Sequence, residues 1–598
     1  MTTQAMPASA PTMATSGRGR WLGLAMLSLG VSMIIVDATI VNVAIPSIIR
    51  DLNLDSTAAE WINAIYTLVF AALLVTMGRM GDVLGRRAMY IAGLVVFILA
   101  SMVAGLSTSG EMLIGARLVQ GIGGAMILPA TQSILNANFQ GRDRAIAFGI
   151  WGAVIGGMAA IGPLLGGWLT TYLSWNWAFY INLPVGLLAI IGTLRYISES
   201  RDEHTKIGFD LPGFVLITTG LVGVIFGLIE GRTYGWWAPS PDHAFQVLGL
   251  TWPSSTISIV PVTIILGSLA LVLFAVVEVR RQRAGKFFLF DFGLWRFRAF
   301  RFGNLAGTIV SLGEFGLLFA LPLFLQAVVG YNAFETGLIF LALAVGSFFA
   351  APLSATLARR YGPRRAVTLG MTLEAVGIFV TTLLIRPDVS GLILAIPLFV
   401  YGVGVGLATA QLTSIVLSDV PPERSGLASG TNSTMRQIGS ALGVAILGTV
   451  LFATLASQTK ANIETALPTM APICQELIVT LVDESAGQIL PALRDPAAGA
   501  GQGGDFGGSL TPEQAACFAD PAFIAALPDT VKPIEDAFTT ATHAAGFTAF
   551  GFVLLGVVFS LLLPDTRRRR EEIPTPDAEP APAAEPVPDA EPAPAATA

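Results

Sequence analysis

Gly78-Arg-Met-Gly-Asp-Val-Leu-Gly-Arg-Arg87 sets an acid and three arginines between two long apolar runs, 60–77 and 87–107. Charges inside hydrocarbon are costly, so this stretch must lie at a membrane surface with a helix leaving on each side. Gly78 and Gly85 supply the backbone freedom of a tight connection. A second stretch, Leu353-Ser-Ala-Thr-Leu-Ala-Arg-Arg-Tyr-Gly-Pro-Arg-Arg365, repeats the pattern of charge and keeps the arginines. It lacks the acid: Arg359 or Arg360 stands where Asp82 would be. Two copies of one connection imply a chain built of two halves.

The composition agrees with a membrane setting. Of 598 residues, 53% are hydrophobic and 12% charged, against about 25% charged in soluble domains. Spanning ~30 Å of hydrocarbon takes about 20 helical residues. Runs of that kind fall near 21–45, 60–77, 87–107, 111–134, 144–170, 177–197, 210–230, 257–279, 301–329, 334–358, 366–385, 390–417, 426–455 and 544–563. The expected fold is all-α and integral to the membrane, with fourteen transmembrane helices. Two six-helix bundles in pseudo-twofold repeat (21–197 and 301–563) flank two inserted helices with their loops (198–300). Of the 34 Lys and Arg, Arg117 and Arg436 fall within spans. Arg50, Arg232, Arg386, Lys460, Arg494 and Lys532 fall on one side, and all the others on the side of the termini. Basic residues favour the cytoplasm, so both termini are expected inside. Residues 1–20 read as a disordered cytoplasmic lead, ending in Arg18 and Arg20 before a retained signal-anchor helix. An excess of Arg over Lys, with 64 Gly and 35 Pro, suits a high-GC bacterium and hence a bacterial plasma (inner) membrane.

Several functions are excluded. No G-x-x-x-x-G-K-[S/T] loop is present, so the chain does not drive pumping with ATP. No H-E-x-x-H or C-x-x-C spacing marks a metal, and no cofactor is expected. His204, His243 and His543 read as solvated loop residues. The net charge of −6 is segregated by region and gives no nucleic-acid surface. Residues 457–543 form a long extracytoplasmic loop before the last span. It holds Cys474 and Cys517, where oxidation is permitted. A disulfide would stabilise the loop by roughly 3–4 kcal/mol; two free thiols are the alternative. Residues 564–598, four arginines followed by Pro, Ala and acids, read as a disordered cytoplasmic tail.

Ionisable residues inside the spans carry the chemistry. Asp37 lies well within the first span, about 12 Å below its outer end. An ionised carboxylate there needs a partner or a proton. Arg117 enters the fourth span to a depth of about 9 Å, so the two can meet if their helices touch. Either a proton switch or a static helix-pairing ion pair results. Glu314, in the middle of the ninth span, is the repeat counterpart of Asp37 and suits a cationic or proton-exchanging solute. Glu374 and Arg436 are also intramembrane, and Gln120 sits one turn beyond Arg117. The fifth span, Gly149 to Gly167, is glycine-rich and contains Pro163; Gly162, Gly166 and Gly167 allow close helix contact, and Pro163 removes a backbone hydrogen bond.

The 78–87 turn, the Arg117-x-x-Gln120-Gly-x-Gly-Gly-Ala run, the Gly/Pro fifth span and the Asp37 run occur in the right order and spans. Together they resemble the fourteen-helix drug:proton antiporters of the major facilitator superfamily. That resemblance implies alternating access driven by the proton motive force. It also implies an inner gate containing Gly78, Asp82, Gly85 and Arg86, proton handling by Asp37, Arg117 and Glu314, and an antiporter signature in the fifth span. Val83, Met80 and Asn176 depart from the usual pattern. The chain is read as a monomeric exporter of amphipathic drugs or toxic compounds, not an enzyme. Its partners are protons, the lipid bilayer and a small solute, with cations favoured by the buried acids and by aromatic walls at Trp61, Tyr66, Trp151 and Phe315. A dedicated exporter of an endogenous antibiotic, metabolite or lipid is the alternative. A non-transporting sensor or scaffold would have no use for the intramembrane charges.

Overall fold

The computed structural model describes residues 17–52, 54, 56–139, 141–201, 210–231, 233–240, 245–247, 250–252, 256–420, 424–485, 487, 489–494, 516–518 and 520–564. In hydrocarbon every backbone polar group must be satisfied within the protein, which selects helices. The first half contains α1 (Gly17–Leu52), α2 (Ser56–Leu84), α3 (Arg86–Gly105), α4 (Gly110–Asn138), α5 (Gly141–Tyr172), the short α6 (Trp177–Tyr180) and α7 (Asn182–Tyr196). Then come α8 (Leu211–Glu230), a two-residue antiparallel pairing of Gln246–Val247 with Leu250–Thr251, and α9 (Ile259–Arg283). The second half contains α10 (Arg298–Ala327), α11 (Ala333–Tyr361), α12 (Pro363–Leu384), α13 (Gly391–Val416), α14 (Ser425–Ala466), α15 (Pro472–Glu484), α16 (Leu490–Arg494) and α17 (Pro521–Leu561).

Helix starts are written locally. The Ser109 hydroxyl accepts from the Met112 N–H at the head of α4. Asn332 and Glu335 close a reciprocal cap on α11 at 2.8 and 2.9 Å, satisfying two orphan donors. The two repeated connections share one backbone device. Gly85 has φ +123° before α3 and Gly362 has φ +93° before α12, conformations that only glycine adopts freely. At Gly85 the space is also taken, because a Cβ would lie 2.7 Å from the Glu199 carboxyl carbon.

Among the described residues, twelve helices are long and apolar enough to cross a membrane. The expected count was fourteen. The other long helices are α2 and α5, of 29 and 32 residues, each with an uncharged apolar stretch, 61–78 and 149–167.

Two main cores form. One joins Leu24, Leu27, Tyr66, Phe70, Tyr90, Phe97, Ile134 and Ala189 from α1 to α7. The other joins Leu321, Phe324, Phe340, Ile378, Tyr401, Leu451 and Phe538 from α10 to α17. The end of the molecule that carries the 78–87 turn is called the basic face, and the opposite end the cap face.

The segment between the last two spans is folded. Helix α14 runs 42 residues and α17 runs 41. At 1.5 Å per residue that is about 60 Å, twice the ~30 Å of hydrocarbon. Both therefore continue past the membrane and hold α15 and α16 between them. Leu477, Ile478, Val482, Leu490 and Phe523 pack into the same core as Phe324 and Phe538. Arg494 binds Glu535 at 2.6 Å and also donates to the Val328 carbonyl. Cys474 and Cys517 are joined as a disulfide, with Cα atoms 5.8 Å apart. Reducing this bond is expected to destabilise the cap by about 2–4 kcal/mol, read as faster hydrogen exchange in α15. Thiol reagents should label neither cysteine before reduction; labelling of the untreated protein would refute the bond.

Candidate functional site

Asp37 on α1 and Arg117 on α4 form an ion pair in which both side chains are fully buried. Two further donors reach the same carboxylate: Gln120 Nε2 at 3.0 Å and Asn182 Nδ2 at 2.7 Å, both onto Oδ1. The Ser101 hydroxyl oxygen, from α3, accepts from both amides at 2.7 and 3.2 Å. Arg117 is held separately through Nη1 to Gln120 Oε1 at 2.9 Å and Nε to the Ile62 carbonyl at 3.1 Å. Its guanidinium lies 4.2 Å from the Tyr66 ring centre, a cation–π contact. Nη2 of Arg117 has no acceptor among the described residues.

This geometry suits an ionised Asp37, because a carboxylate only accepts and all three neighbours donate. A proton arriving on Oδ1 or Oδ2 would set a donor against donors and remove the charge that holds Arg117. The depths estimated from the sequence do bring Asp37 and Arg117 together. Gln120 proves to be the hinge of the network, bonding acid, base and Ser101 at once. Ser101 and Asn182 carry no sequence signal of their own, since small neutral polar residues are tolerated in spans and only their convergence reveals them.

In the second half, Glu314 (α10) and Glu374 (α12) are buried at 8% and 1% exposure. Glu374 is enclosed by α13, because Gly404 there lets the backbone and Cγ of Glu374 come within 2.5–2.7 Å of where a Cβ would stand. Arg436 (α14) passes over Gly307 of α10 and makes no ion pair within 4 Å among the described residues. It interacts electrostatically with both acids. Three residues before Arg436, Ser433 donates to Gln132 Oε1 of α4 at 3.1 Å, so this polar face of α14 meets the first half of the chain.

At the basic face the 78–87 turn is anchored by α7 and its C-terminal extension. Glu199 accepts from the Arg87 and Ala88 N–H groups at 3.0 and 2.9 Å, and Arg87 Nη2 donates to the Leu194 carbonyl at 3.0 Å. Gly78 sits against Pro129 of α4. Arg86 opens α3, and its N–H donates to the Ser200 carbonyl at 3.0 Å. The Asp82 side chain, central to the expected gate, lies outside the described residues.

The turn has an unforeseen neighbour. Residues 284–297, between α9 and α10, form a strap across this face. Arg79 lies 5.0 Å over the Phe287 ring, and Leu289 and Phe290 pack with Ala72 of α2. Glu278 accepts the Leu289 and Phe290 N–H groups at 2.7 and 2.8 Å. Asp291 binds Gln282 at 2.6 Å and Arg424, just before α14, at 2.7 Å. The strap thus ties α2 of the first half to α14 of the second. Arg424→Ala removes a charged hydrogen bond worth about 1.5–3 kcal/mol. It is expected to raise the accessibility of the basic face to water-soluble thiol reagents at a reporter cysteine placed at Ser354, by roughly tenfold. Unchanged labelling would show that the strap does not hold this face.

Helix α5 touches both halves through its glycines. Cβ atoms at Gly162 and Gly166 would meet Thr39 and Ile40 of α1, and one at Gly167 would strike the backbone of Ala333 and Phe334 at the head of α11. Reciprocally, a Cβ at Gly337 of α11 would lie 2.5 Å from Leu164 Cα. Helix α5 runs without interruption through Pro163.

Two expectations are corrected. His543 is not a loop residue: it lies in α17 with Nε2 3.0 Å from the Ile385 carbonyl. His204 and His243 lie outside the described residues. The expected aromatic wall is dispersed, since Tyr66 covers Arg117, Trp61 Nε1 donates to Glu230, and Trp151 is packed in the first core. A groove of about 650 Å³ is lined by other rings, Trp168, Trp177 and Tyr180, at the cap end of α5 to α7.

Comparison with known proteins gives these geometries a setting. Residues 27–444 match the family model for the Major Facilitator Superfamily. The puromycin resistance protein pur8 of Streptomyces alboniger is 34% identical over 72% of this chain and 82% of its own. The multidrug resistance protein Stp of Mycobacterium tuberculosis H37Rv is 31% identical over 80% of this chain and 86% of its own. A crystal structure of the human organic anion transporter MFSD10 shares the fold at a TM-score of 0.52 and 13% identity, covering 91% of this chain and all of that one (100%).

Proposed function

The chain belongs to the major facilitator superfamily, and on that premise we propose that it is a proton-coupled exporter of amphipathic drugs or toxic compounds in a bacterial plasma membrane. The observation that carries this reading is the buried Asp37–Arg117 pair with its three polar satellites. An ion pair sealed from water and bonded to three helices is a two-state element. With Asp37 ionised, α1, α4 and α7 are drawn together. With Asp37 protonated, Arg117 falls back on Gln120, Ile62 and Tyr66. Proton entry down its gradient supplies the work, ~2.3 kcal/mol per elementary charge per 100 mV. The drug and multidrug resistance of the relatives supports export as its direction.

The architecture that fits this work is two six-helix bundles, 21–197 and 301–563, with α8 and α9 inserted between them, α2 and α5 also spanning, and both termini in the cytoplasm. The basic face is then cytoplasmic, and the 78–87 turn and the strap lie at an inner gate in which Asp82 and Arg86 take part. Glu314 and Arg436, where α10 and α14 meet the first half, are the groups placed to receive the solute. The protein works as a monomer without a cofactor. The puromycin resistance relative favours a narrower reading, export of a single antibiotic. Dye and drug efflux from intact cells, with and without a protonophore, tests both readings. Collapse of efflux by the protonophore across several unrelated compounds supports the broad one, and response to one compound alone supports the narrow one. Efflux indifferent to the protonophore would sink the proton-coupled reading.

A further inference from the structure

The strap across the basic face is fastened at two buried acids that the proton site at Asp37 does not involve. Asp210 caps the start of α8, where its Oδ1 accepts from the Gly213 N–H at 2.8 Å. Glu278 stands near the end of α9, and its Oε2 accepts from Leu289 and Phe290 of the strap. Both residues are 0% exposed. Their other oxygens, Asp210 Oδ2 and Glu278 Oε1, converge beside Gly213, where a Cβ would lie within 2.8 Å of both. The two carboxyls are in hydrogen-bond reach of each other. Among the described residues neither of these oxygens receives a hydrogen. Arg281 Nε comes to 2.9 Å from Asp210 Oδ2, but its N–H is directed to the Phe287 carbonyl at 2.8 Å.

The other charges on the elements packed here are engaged elsewhere. Arg79 of α2 lies over Phe287, and Arg424 before α14 binds Asp291. Arg436 of α14 rests on Gly307 of α10. Glu230 is at the cap end of α8. Arg280, Arg283, Lys286 and Arg296 are exposed. One guanidinium, Arg281, therefore faces two carboxyls. Two carboxylates so placed repel one another. A proton on Glu278 Oε1 makes it a donor to Asp210 Oδ2 and supplies the hydrogen that both oxygens lack. Glu278 Oε2 keeps its two N–H donors, and Asp210 keeps its charge for Arg281.

We propose that Asp210 and Glu278 bind one proton between them and form a pH-sensitive latch for the strap. Protonated, the pair holds the start of α8, the end of α9 and residues 287–290 together. As pH at the basic face rises the proton leaves, the carboxylates part, and the strap loosens from α2. The consequence for transport rests on the exporter reading: each proton carried inward favours the latched state, so the latch restrains the pump when the cytoplasm acidifies.

Pulsed electron paramagnetic resonance on the purified protein in lipid tests the latch without transport. Spin labels at Lys286→Cys on the strap and Ser198→Cys beyond α7 are both at exposed positions, and the native cysteines are held in their disulfide. One distance is expected at about pH 6 and a second, longer population at about pH 9, a range in which buried carboxyls titrate. E278Q, whose amide donates to Asp210 as the protonated acid does, should keep the short distance at both. Asp210→Asn should lose the pH response as well. A wild type with the same distribution at both pH values, or an E278Q that still responds, overturns the latch. Millimolar magnesium chloride should leave the wild-type response unchanged; recovery of the short distance at high pH by the metal would make the pair a cation site and overturn the shared proton. In cells, E278Q is expected to export dye more slowly than wild type, and equal rates would overturn the restraint on the pump. If the distances behave as stated while wild type shows no proton-driven efflux, the latch stands and the exporter reading falls.

Discussion

Asp37→Asn is expected to reduce proton-driven efflux to the level of vesicles lacking the protein. The substitution removes one of two acceptor oxygens at a position where Arg117, Gln120 and Asn182 all donate. Whichever way the new amide turns, its NH2 group faces a donor, which costs about 1–3 kcal/mol. Arg117 also becomes a fully buried cation without a counter-charge, and breaking such a pair costs about 3–5 kcal/mol. Loss of transport in this variant alone would therefore not separate a switch from a strut. Asp37→Asn combined with Arg117→Gln separates them. The double variant has no stranded charge, so its thermal stability should recover toward wild type. Its proton-driven efflux should stay absent, because no group at this site can then carry the proton. A double variant that is stable and still pumps would show that the pair only holds helices together.

The parts of this arrangement that the sequence displays are those with a large solvation cost. The 78–87 turn could be located because arginines cannot rest in hydrocarbon, and Asp37 and Arg117 could be paired because two buried charges at matching depth need each other. Ser101 and Asn182 escape such reasoning, since a hydroxyl or amide in a span costs little until its neighbours are known. The enclosure of Glu374 is hidden for a related reason: it depends on Gly370 and Gly404 bringing α12 and α13 together, and a glycine in an apolar helix does not announce which neighbour it admits. The cap was visible as a long segment with two cysteines but not as a folded unit. Helix α17 runs through Pro528 and Pro533, held by packing of Ile534 and Phe538 into the second core. The strap at 284–297 looks like a connection in the sequence. Its role follows from Asp291 and Phe287 reaching opposite halves, which no local pattern encodes.

Gly167→Val is expected to abolish transport by a different route, through the balance between closed and open states. At the cap face α5 and α11 approach backbone to backbone, with Gly167 against Ala333 and Phe334, and Gly337 against Pro163 and Leu164. A flexible side chain could give way; a backbone cannot. A valine therefore forces the two helices apart or strains them, at a cost of about 1–3 kcal/mol, which shifts a two-state equilibrium by roughly 5- to 150-fold. Gly162 and Gly166 point to α1 instead, so the same helix carries both the contact between the halves and the contact with the Asp37 helix. Opening at Gly167 should leave the Asp37–Arg117 pair intact. A single reporter cysteine at Thr170 reads the effect, because both native cysteines are occupied by their disulfide. Its reaction with a water-soluble thiol reagent is expected to quicken in Gly167→Val and Gly337→Val. In Gly162→Ala, where the collision is with the Thr39 side chain, it should change little. Equal labelling in all of these variants would mean that the glycine contact between α5 and α11 does not close the cap face, and that the fifth helix serves the proton site alone.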